Sequence, residues 1–252
     1  MRSHLITSAL TIALAVATPI VGSIGFSEGA IAQQNTSEID RAMLEGVRLF
    51  REGNAESLKK AITYFEQVLR LNRDLNDNSK KALAFGWLGS IYSALGDHTK
   101  ALEYYNQSLP LIRILGDRKD EATTLNNIGG IYSALGEKLK ALSYYNQSLP
   151  ISRAVGDRKI EAVTLNNIGN IHDDLGEKFK ALNYYNQSLQ IGYEIGNRKI
   201  EATALNNIGG VYSTLGKKSE ALNYYNQSLR INREIRDQKM ESAALNNIGR
   251  IH

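Results

Sequence analysis

Two adjacent asparagines return at a fixed interval along this chain: Asn126-Asn127, Asn166-Asn167, Asn206-Asn207 and Asn246-Asn247, each inside the phrase Leu-Asn-Asn-Ile-Gly. A primary amide carries an acceptor oxygen and two N–H donors, the same functions as a peptide group. A regularly spaced row of them can hold an extended backbone without demanding one side-chain sequence. One copy continues as Ile-His-Asp-Asp-Leu-Gly, with His172 beside Asp173 and Asp174. Those residue types could bind a metal or move a proton. Their spacing argues against it. Neighbours on a helix project in different directions, so the three do not converge on one point. His172 also stands where other copies have Tyr92, Tyr132 and Tyr212, on the packed face, and a structural role is expected for it. No Ser/His/Asp set, glycine-rich phosphate loop or zinc spacing appears, and there is no cysteine. The expectation is a binding protein without catalytic residues, metal or cofactor.

The asparagines belong to a long internal repeat. Gly89, Gly129, Gly169, Gly209 and Gly249 lie forty residues apart, and the phrase Ala-Leu-x-Tyr-Tyr-Asn-Gln-Ser-Leu starts in step at Ala101, Ala141, Ala181 and Ala221. A looser copy precedes them, with Gly46 in its first half and Ala61 opening its second. Each unit reads as two helices. Leu125, Ile128, Tyr132 and Leu135 have helical spacing, and Gly136 ends that helix as a residue free to take left-handed geometry. A second helix, from about Lys138 to Val155, spreads Ala141, Leu142, Tyr144, Tyr145, Ser148, Leu149, Ile151 and Val155 over nearly half its circumference. Gly156 stops it, Asp157 caps the next helix, and Glu161 falls in that helix's first turn. A glycine inside a helix costs roughly 1 kcal/mol relative to alanine. Its return at Gly129 and equivalents predicts that the two helices cross there at short range. Pro110 and Pro150 project to the solvent side of the second helices, where a bend would wrap the core. The Asn-Gln-Ser triplets at Asn106, Asn146, Asn186 and Asn226 read as helical surface, neutral to packing.

The order Phe85-x2-Leu88-Gly89-x2-Tyr92, then Ala101-x3-Tyr105, with its later copies, resembles the tetratricopeptide repeat. The resemblance covers residues 38–252. Two departures stand out: a period of forty rather than the family's thirty-four, and no proline near the end of the repeat. The longer period is similar to the kinesin light-chain type and to cyanobacterial arrays often found ahead of a caspase-like protease domain. What the resemblance implies is an all-α fold, a right-handed superhelical solenoid of antiparallel helix pairs with first helices lining the concave side. The expected division is residues 38–81, 82–121, 122–161, 162–201 and 202–241, with a partial repeat over 242–252.

On helical projection Asn126, Gly130 and Ser133 lie opposite the core stripe, with Asn127 and Ala134 flanking them. Asn126, Asn166, Asn206 and Asn246 are therefore expected to face the groove and touch a partner. Asn127, Asn167, Asn207 and Asn247 border the packed face and either contact the partner or bond to the neighbouring repeat. Differences between copies supply specificity. Asn170, Asp173 and Asp174 replace Gly130, Ser133 and Ala134, Gly86-Trp87 replaces an asparagine pair, and Arg250 ends the series. The inferred groove runs from an aromatic end at Trp87, past an acidic patch, to a basic end at Arg250. A partner protein or peptide carrying Lys or Arg opposite Asp173/Asp174 is expected; a plain solvated charge pair is the alternative.

Arg2, the apolar stretch Leu5–Val21, the breakers Pro19 and Gly22, and Ala30-Ile31-Ala32 have the order of a secretory signal peptide cleaved after Ala32. Residues 33–37 then form a flexible leader, and no later segment is apolar enough to span a membrane. The mature chain is expected to be secreted or periplasmic. Net charge is +4 with no basic block, which does not point to nucleic acid. Leu245, Ile248 and Ile251 would leave an apolar end open to end-to-end self-association. Two functions fit: an exported, non-enzymatic scaffold binding peptides or proteins in its groove, or the sensor array of a larger enzyme such as a caspase-like protease.

Overall fold

A computed structural model of the chain describes residues 28–251. The expected signal peptide lies outside the described residues except for its last five, which open the first helix. Among the described residues there are eleven helices and no strands: α1 (Glu28–Glu52), α2 (Ala55–Leu75), α3 (Asn78–Ala94), α4 (His98–Leu115), α5 (Arg118–Ala134), α6 (Lys138–Ala154), α7 (Arg158–Asp174), α8 (Lys178–Glu194), α9 (Arg198–Thr214), α10 (Lys218–Glu234) and α11 (Gln238–Gly249). Residues 33–37, expected as a flexible leader, are helical and continuous with α1. The units also begin about four residues earlier than the expected boundaries, because each first helix starts directly after its capping residue, at Arg118, Arg158 and Arg198. No helix of the described residues is long and apolar enough to cross a membrane.

Each helix packs on the next in the chain, and odd-numbered helices also touch the next odd-numbered one, whereas no even-numbered helix touches another. Odd helices therefore occupy the inner radius of a curved stack, and their outward-of-core faces form its concave wall. Punctuation between helices is local. Asp117, Asp157 and Asp237 accept from the backbone N–H three residues on, as does Asn197, relieving donors that a helix start leaves unpaired. At the other end Gly156 takes φ +69°, and Asp157 N–H reaches back to the Ser152 carbonyl at 2.9 Å, a closure that needs left-handed backbone. Arg236 takes the same conformation with φ +57°, at a cost of about 1–2 kcal/mol for a residue with a Cβ.

The crossing expected at Gly129 is seen, and its partner is an aromatic ring. A Cβ built on Gly129 would lie 2.6 Å from the Tyr145 ring, and one on Gly169 2.6 Å from Tyr185. Gly46 faces Phe65, Gly89 faces Tyr105 and Gly209 faces Tyr225, each at 2.8 Å. These aromatic rings are essentially buried, from 0% exposed for Phe65 to 4% for Tyr225. Around them Leu125, Ile128 and Ala141 are sealed at 0%. The stripe stops short of the helix ends: Leu135 and Val155, expected in the core, are 46% and 41% exposed because they sit where the helices part. Pro110 and Pro150 are on the exposed side of uninterrupted helices, as expected. In α11, Gly249 meets nothing within 4 Å and Leu245 is 44% exposed, against 0% for Leu125 and Leu165.

The Asn-Gln-Ser triplets are not neutral. Their asparagines are exposed, but Ser108, Ser148 and Ser228 are fully buried and donate to the carbonyls of Ala82, Ala122 and Ala202 at 2.7–2.8 Å. Each ties a second helix to the first helix of its own unit. Between units, buried Glu161 accepts from Arg153 of α6 at 2.9 Å and from Arg158 at 2.5 Å. Glu121 is held the same way by Arg113 and Arg118. Removing both cations would leave a buried carboxylate uncompensated.

A leucine at Gly169 has nowhere to go but into the Tyr185 ring. Gly169→Leu should cost about 1–3 kcal/mol or more by overpacking and lower both the thermal midpoint and the helical circular-dichroism signal. Burial also sets an alkaline limit. The Tyr145 phenol is pushed up to about 12 from the ordinary 10 by burial, and burial raises Tyr105 and Tyr185 too. These groups favour the fold only while protonated. Stability should be complete below pH of about 10 and fall as pH rises towards about 12, seen as a falling urea midpoint.

Candidate binding groove on the concave wall

The paired asparagines form a ladder between layers. Asn167 Nδ2 donates to Asn126 Oδ1 at 3.1 Å, Asn207 Nδ2 to Asn166 Oδ1 at 3.1 Å, and Asn247 Nδ2 to Asn206 Oδ1 at 3.1 Å. The Thr164 hydroxyl adds a bond to Asn126 Oδ1 at 3.2 Å. The two readings for the second asparagine thus resolve toward neighbour bonding. Asn126, Asn166 and Asn206, expected to face the groove and touch a partner, each also give an oxygen to the next layer, and Asn166 is only 9% exposed. Projection from a single helix could not show this, because the partner comes from forty-one residues downstream. Asn246 remains exposed. Each rung uses one oxygen of the first amide and one N–H of the second. The first amide's donors and the second amide's oxygen are left over, on a wall where Asn126, Asn127, Asn167, Asn206, Asn207 and Asn247 are half-exposed.

A cavity of about 320 Å³ opens on this wall across α7, α9 and α11. It gathers seven of the expected residues, Asn170, Asp173, Asp174, Asn206, Asn207, Asn247 and Arg250, and leaves out Asn126, Asn127, Asn166, Asn167, Asn246 and Trp87. Asn170 is itself tied down, accepting from Asn207 Nδ2 at 3.1 Å and from the Tyr185 hydroxyl at 2.9 Å. Its side chain orients neighbours more than it offers itself. Asp173 pairs with Lys178 Nζ at 2.7 Å. The exposed Asp174 carboxylate has no ion pair among the described residues, and its backbone oxygen accepts from Lys138 at 2.9 Å. Across the cavity Arg250 is exposed and likewise has no ion pair among the described residues. One wall therefore offers an open anion and the other an open cation, over a floor of amides and hydroxyls.

Sequence reasoning missed the floor. Tyr185, Ser213, Thr214 and Tyr225 line the cavity although two of them belong to second helices. The gap that admits a ring beside Gly169 or Gly209 also lets its hydroxyl reach the concave wall. The signal was available: glycine beside glycine, with Gly210 next to Gly209, leaves a Cβ position 3.7 Å from the Tyr225 hydroxyl. Burial raises the Tyr225 phenol, and the Arg250 charge opposes the shift.

Two expected features lie elsewhere. His172 stacks on Tyr184 with ring centroids 5.2 Å apart and planes 2° apart, and its Nδ1 meets Glu177, facing away from its aspartate neighbours. Trp87, expected at an aromatic end of the groove, lies outside this cavity, half-buried between Phe50, edge-on at 5.2 Å, and Phe65, stacked at 5.9 Å. Phe65 has no hydroxyl to satisfy, so the first layer closes with an aromatic stack.

The ladder carries a stability prediction. Asn207 makes two interlayer bonds and Asn247 one. At about 1 kcal/mol per bond, with more when a buried acceptor is orphaned, Asn207→Ala should lower the urea midpoint clearly more than Asn247→Ala. Equal effects would mean that the second bond of Asn207, to Asn170, adds no stability.

A profile of the tetratricopeptide repeat matches residues 54–113, 80–154, 120–194 and 160–234, most of the chain. A search of curated proteins finds no match. Solved structures share the architecture at low identity. Aspartyl phosphate phosphatase F from Bacillus subtilis is 16% identical over 86% of this chain and 56% of that one, with a TM-score of 0.75. A Rap conjugation gene regulator of plasmid pLS20, solved with the Phr* peptide, is 15% identical over 90% of this chain and 62% of that one, with a TM-score of 0.70. BtubC (BKLC) from P. vanneervenii is 18% identical over 82% of this chain and 92% of that one, with a TM-score of 0.57. The chain spans less than two thirds of the first two. Helix pairs, glycine-aromatic crossings and a profile match across four overlapping stretches lead to one conclusion: this chain belongs to the tetratricopeptide repeat family.

Proposed function

We propose that the chain is an exported, non-enzymatic scaffold that holds an extended peptide segment of a protein partner along its concave wall. The observation that carries this reading is the cavity with an unpaired carboxylate at Asp174 and an unpaired guanidinium at Arg250 on opposite rims. Between them lie leftover amide donors and oxygens that match a peptide backbone. A lysine or arginine of the partner would sit against Asp174, with Asp173 less available because of Lys178, and an acidic group would sit toward Arg250. Support at the level of fold comes from the peptide-bound Rap regulator. Export rests on the N-terminal order of charge, apolar run and Ala30-Ile31-Ala32.

The test is fluorescence anisotropy with capped decapeptides, one carrying Lys and Glu at opposite ends and one neutral. Binding of the charged peptide should weaken about three- to tenfold in Asp174→Asn and in Arg250→Gln, and weaken with salt, while thermal midpoints hold. Equal affinity for charged and neutral peptides would sink the charge assignment. Protein recovered from the cell envelope should begin at Gln33; an intact Met1 would contradict cleavage.

A further inference from the structure

The second cavity on the wall arises where the ladder lacks a rung. Asn127 stands one repeat before Asn167, but the position that would supply its acceptor is Gly86 rather than asparagine. Trp87, which takes the next position, is drawn into the first layer against Phe50 and Phe65. Between α3 and α5 a cavity of about 1050 Å³ is left, with Leu83, Trp87, Ile112, Leu115 and Val155 among its lining. Its mouth includes Ser90, Tyr105 and Asn127, which belong to the same concave wall as the charged cavity. The Ser90 and Tyr105 hydroxyls meet at 2.9 Å.

The cationic groups at the rim are already engaged: Arg118 with Glu121, and Lys119 with Asp157 at 2.9 Å. Asp117 is occupied in capping α5. Burial and the adjacent Asp117 push the Asp120 carboxyl up, so another anion is unwelcome. What the cavity can reward is burial of apolar surface.

We infer that this inter-repeat cavity is a second docking site, taking bulky apolar, uncharged side chains of the same extended peptide that runs along the wall. The inference rests on the peptide reading above and adds a sequence requirement to it. Continuity of the wall argues for a peptide occupant, since a backbone bonded to the leftover groups of Asn127 passes directly over the opening. Helices of adjacent layers pack about 10 Å apart, and about one and a half layers separate this cavity from Asp174 at the end of α7. At about 3.3 Å per extended residue, the apolar residue lies some four or five positions from the cationic one.

Gly86→Asn tests this without threatening the fold. A Cβ at Gly86 meets only the Ser108 hydroxyl, at an ordinary 3.5 Å. The new amide stands one repeat before Asn126 and restores the missing rung across the mouth. Trp87 is the only tryptophan in the chain and lines the cavity, so its emission reports occupancy. Capped peptides with Lys at one end and Phe or Ala about five positions away are titrated against both proteins, in both chain directions. N-acetyl-phenylalaninamide is titrated separately. Expected for the unmodified chain is about tenfold tighter binding of one Phe peptide than its Ala counterpart, with a shift in Trp87 emission. Gly86→Asn should erase that tenfold, leave the Ala peptide unchanged, and keep or raise the thermal midpoint. Equal binding of Phe and Ala peptides, or a Phe preference that survives Gly86→Asn, overturns the inference. If no peptide binds but N-acetyl-phenylalaninamide shifts Trp87 only in the unmodified chain, the apolar site stands and the peptide-groove reading fails. Silence from both probes overturns the site itself.

Discussion

Each of the five helix pairs, α1/α2 to α9/α10, depends on an aromatic ring seated where a side chain is missing. Tyr145 lies so close to Gly129 that even a methyl group there would sit 2.6 Å from the ring. Close approach brings dispersion contacts that a larger residue would forfeit by holding the helices apart. It also explains why a costly mid-helix glycine recurs: the loss in helix propensity, roughly 1 kcal/mol, is offset by burying an aromatic side chain of large area. At Tyr185 and Tyr225 the equivalent ring also lines the concave cavity. One interaction therefore holds the unit together and furnishes part of its concave wall.

The layers are joined by different chemistry. Apolar packing alone tolerates sliding, whereas hydrogen bonds between named amides select one register. The three asparagine rungs and the buried Glu121 and Glu161 with their paired arginines perform that selection on the stack. Because each rung consumes only part of each amide, the ladder that fixes the register keeps hydrogen-bonding capacity on the wall. Variation is then superimposed on a constant frame. Asn170 doubles the bonding of one rung, Gly86 deletes another, and the two departures coincide with the two cavities.

Much of this was legible in the residues themselves. Helix pairs, their caps, the glycine crossings and the structural role of His172 follow from spacing, because local backbone preference and apolar periodicity act over a few residues. The acidic and basic rims at Asp174 and Arg250 were legible too, as departures from the repeated pattern. Projection erred where a helix has two neighbours. It did not show that Asn126, Asn166 and Asn206 each give an oxygen to the next layer.

By itself the sequence determined the unit: two helices, their ends, and the glycine that must face something large. Periodicity supplies this because each element's conformation and apolar face are local properties. Tertiary structure decided what the amides do. An asparagine at the edge of an apolar stripe can turn to solvent or to another chain segment, and only the placement of a residue forty-one positions away selects between them. The same placement decided that a missing asparagine becomes a cavity rather than a smoother wall, since whether a gap closes depends on how far neighbouring layers are held apart.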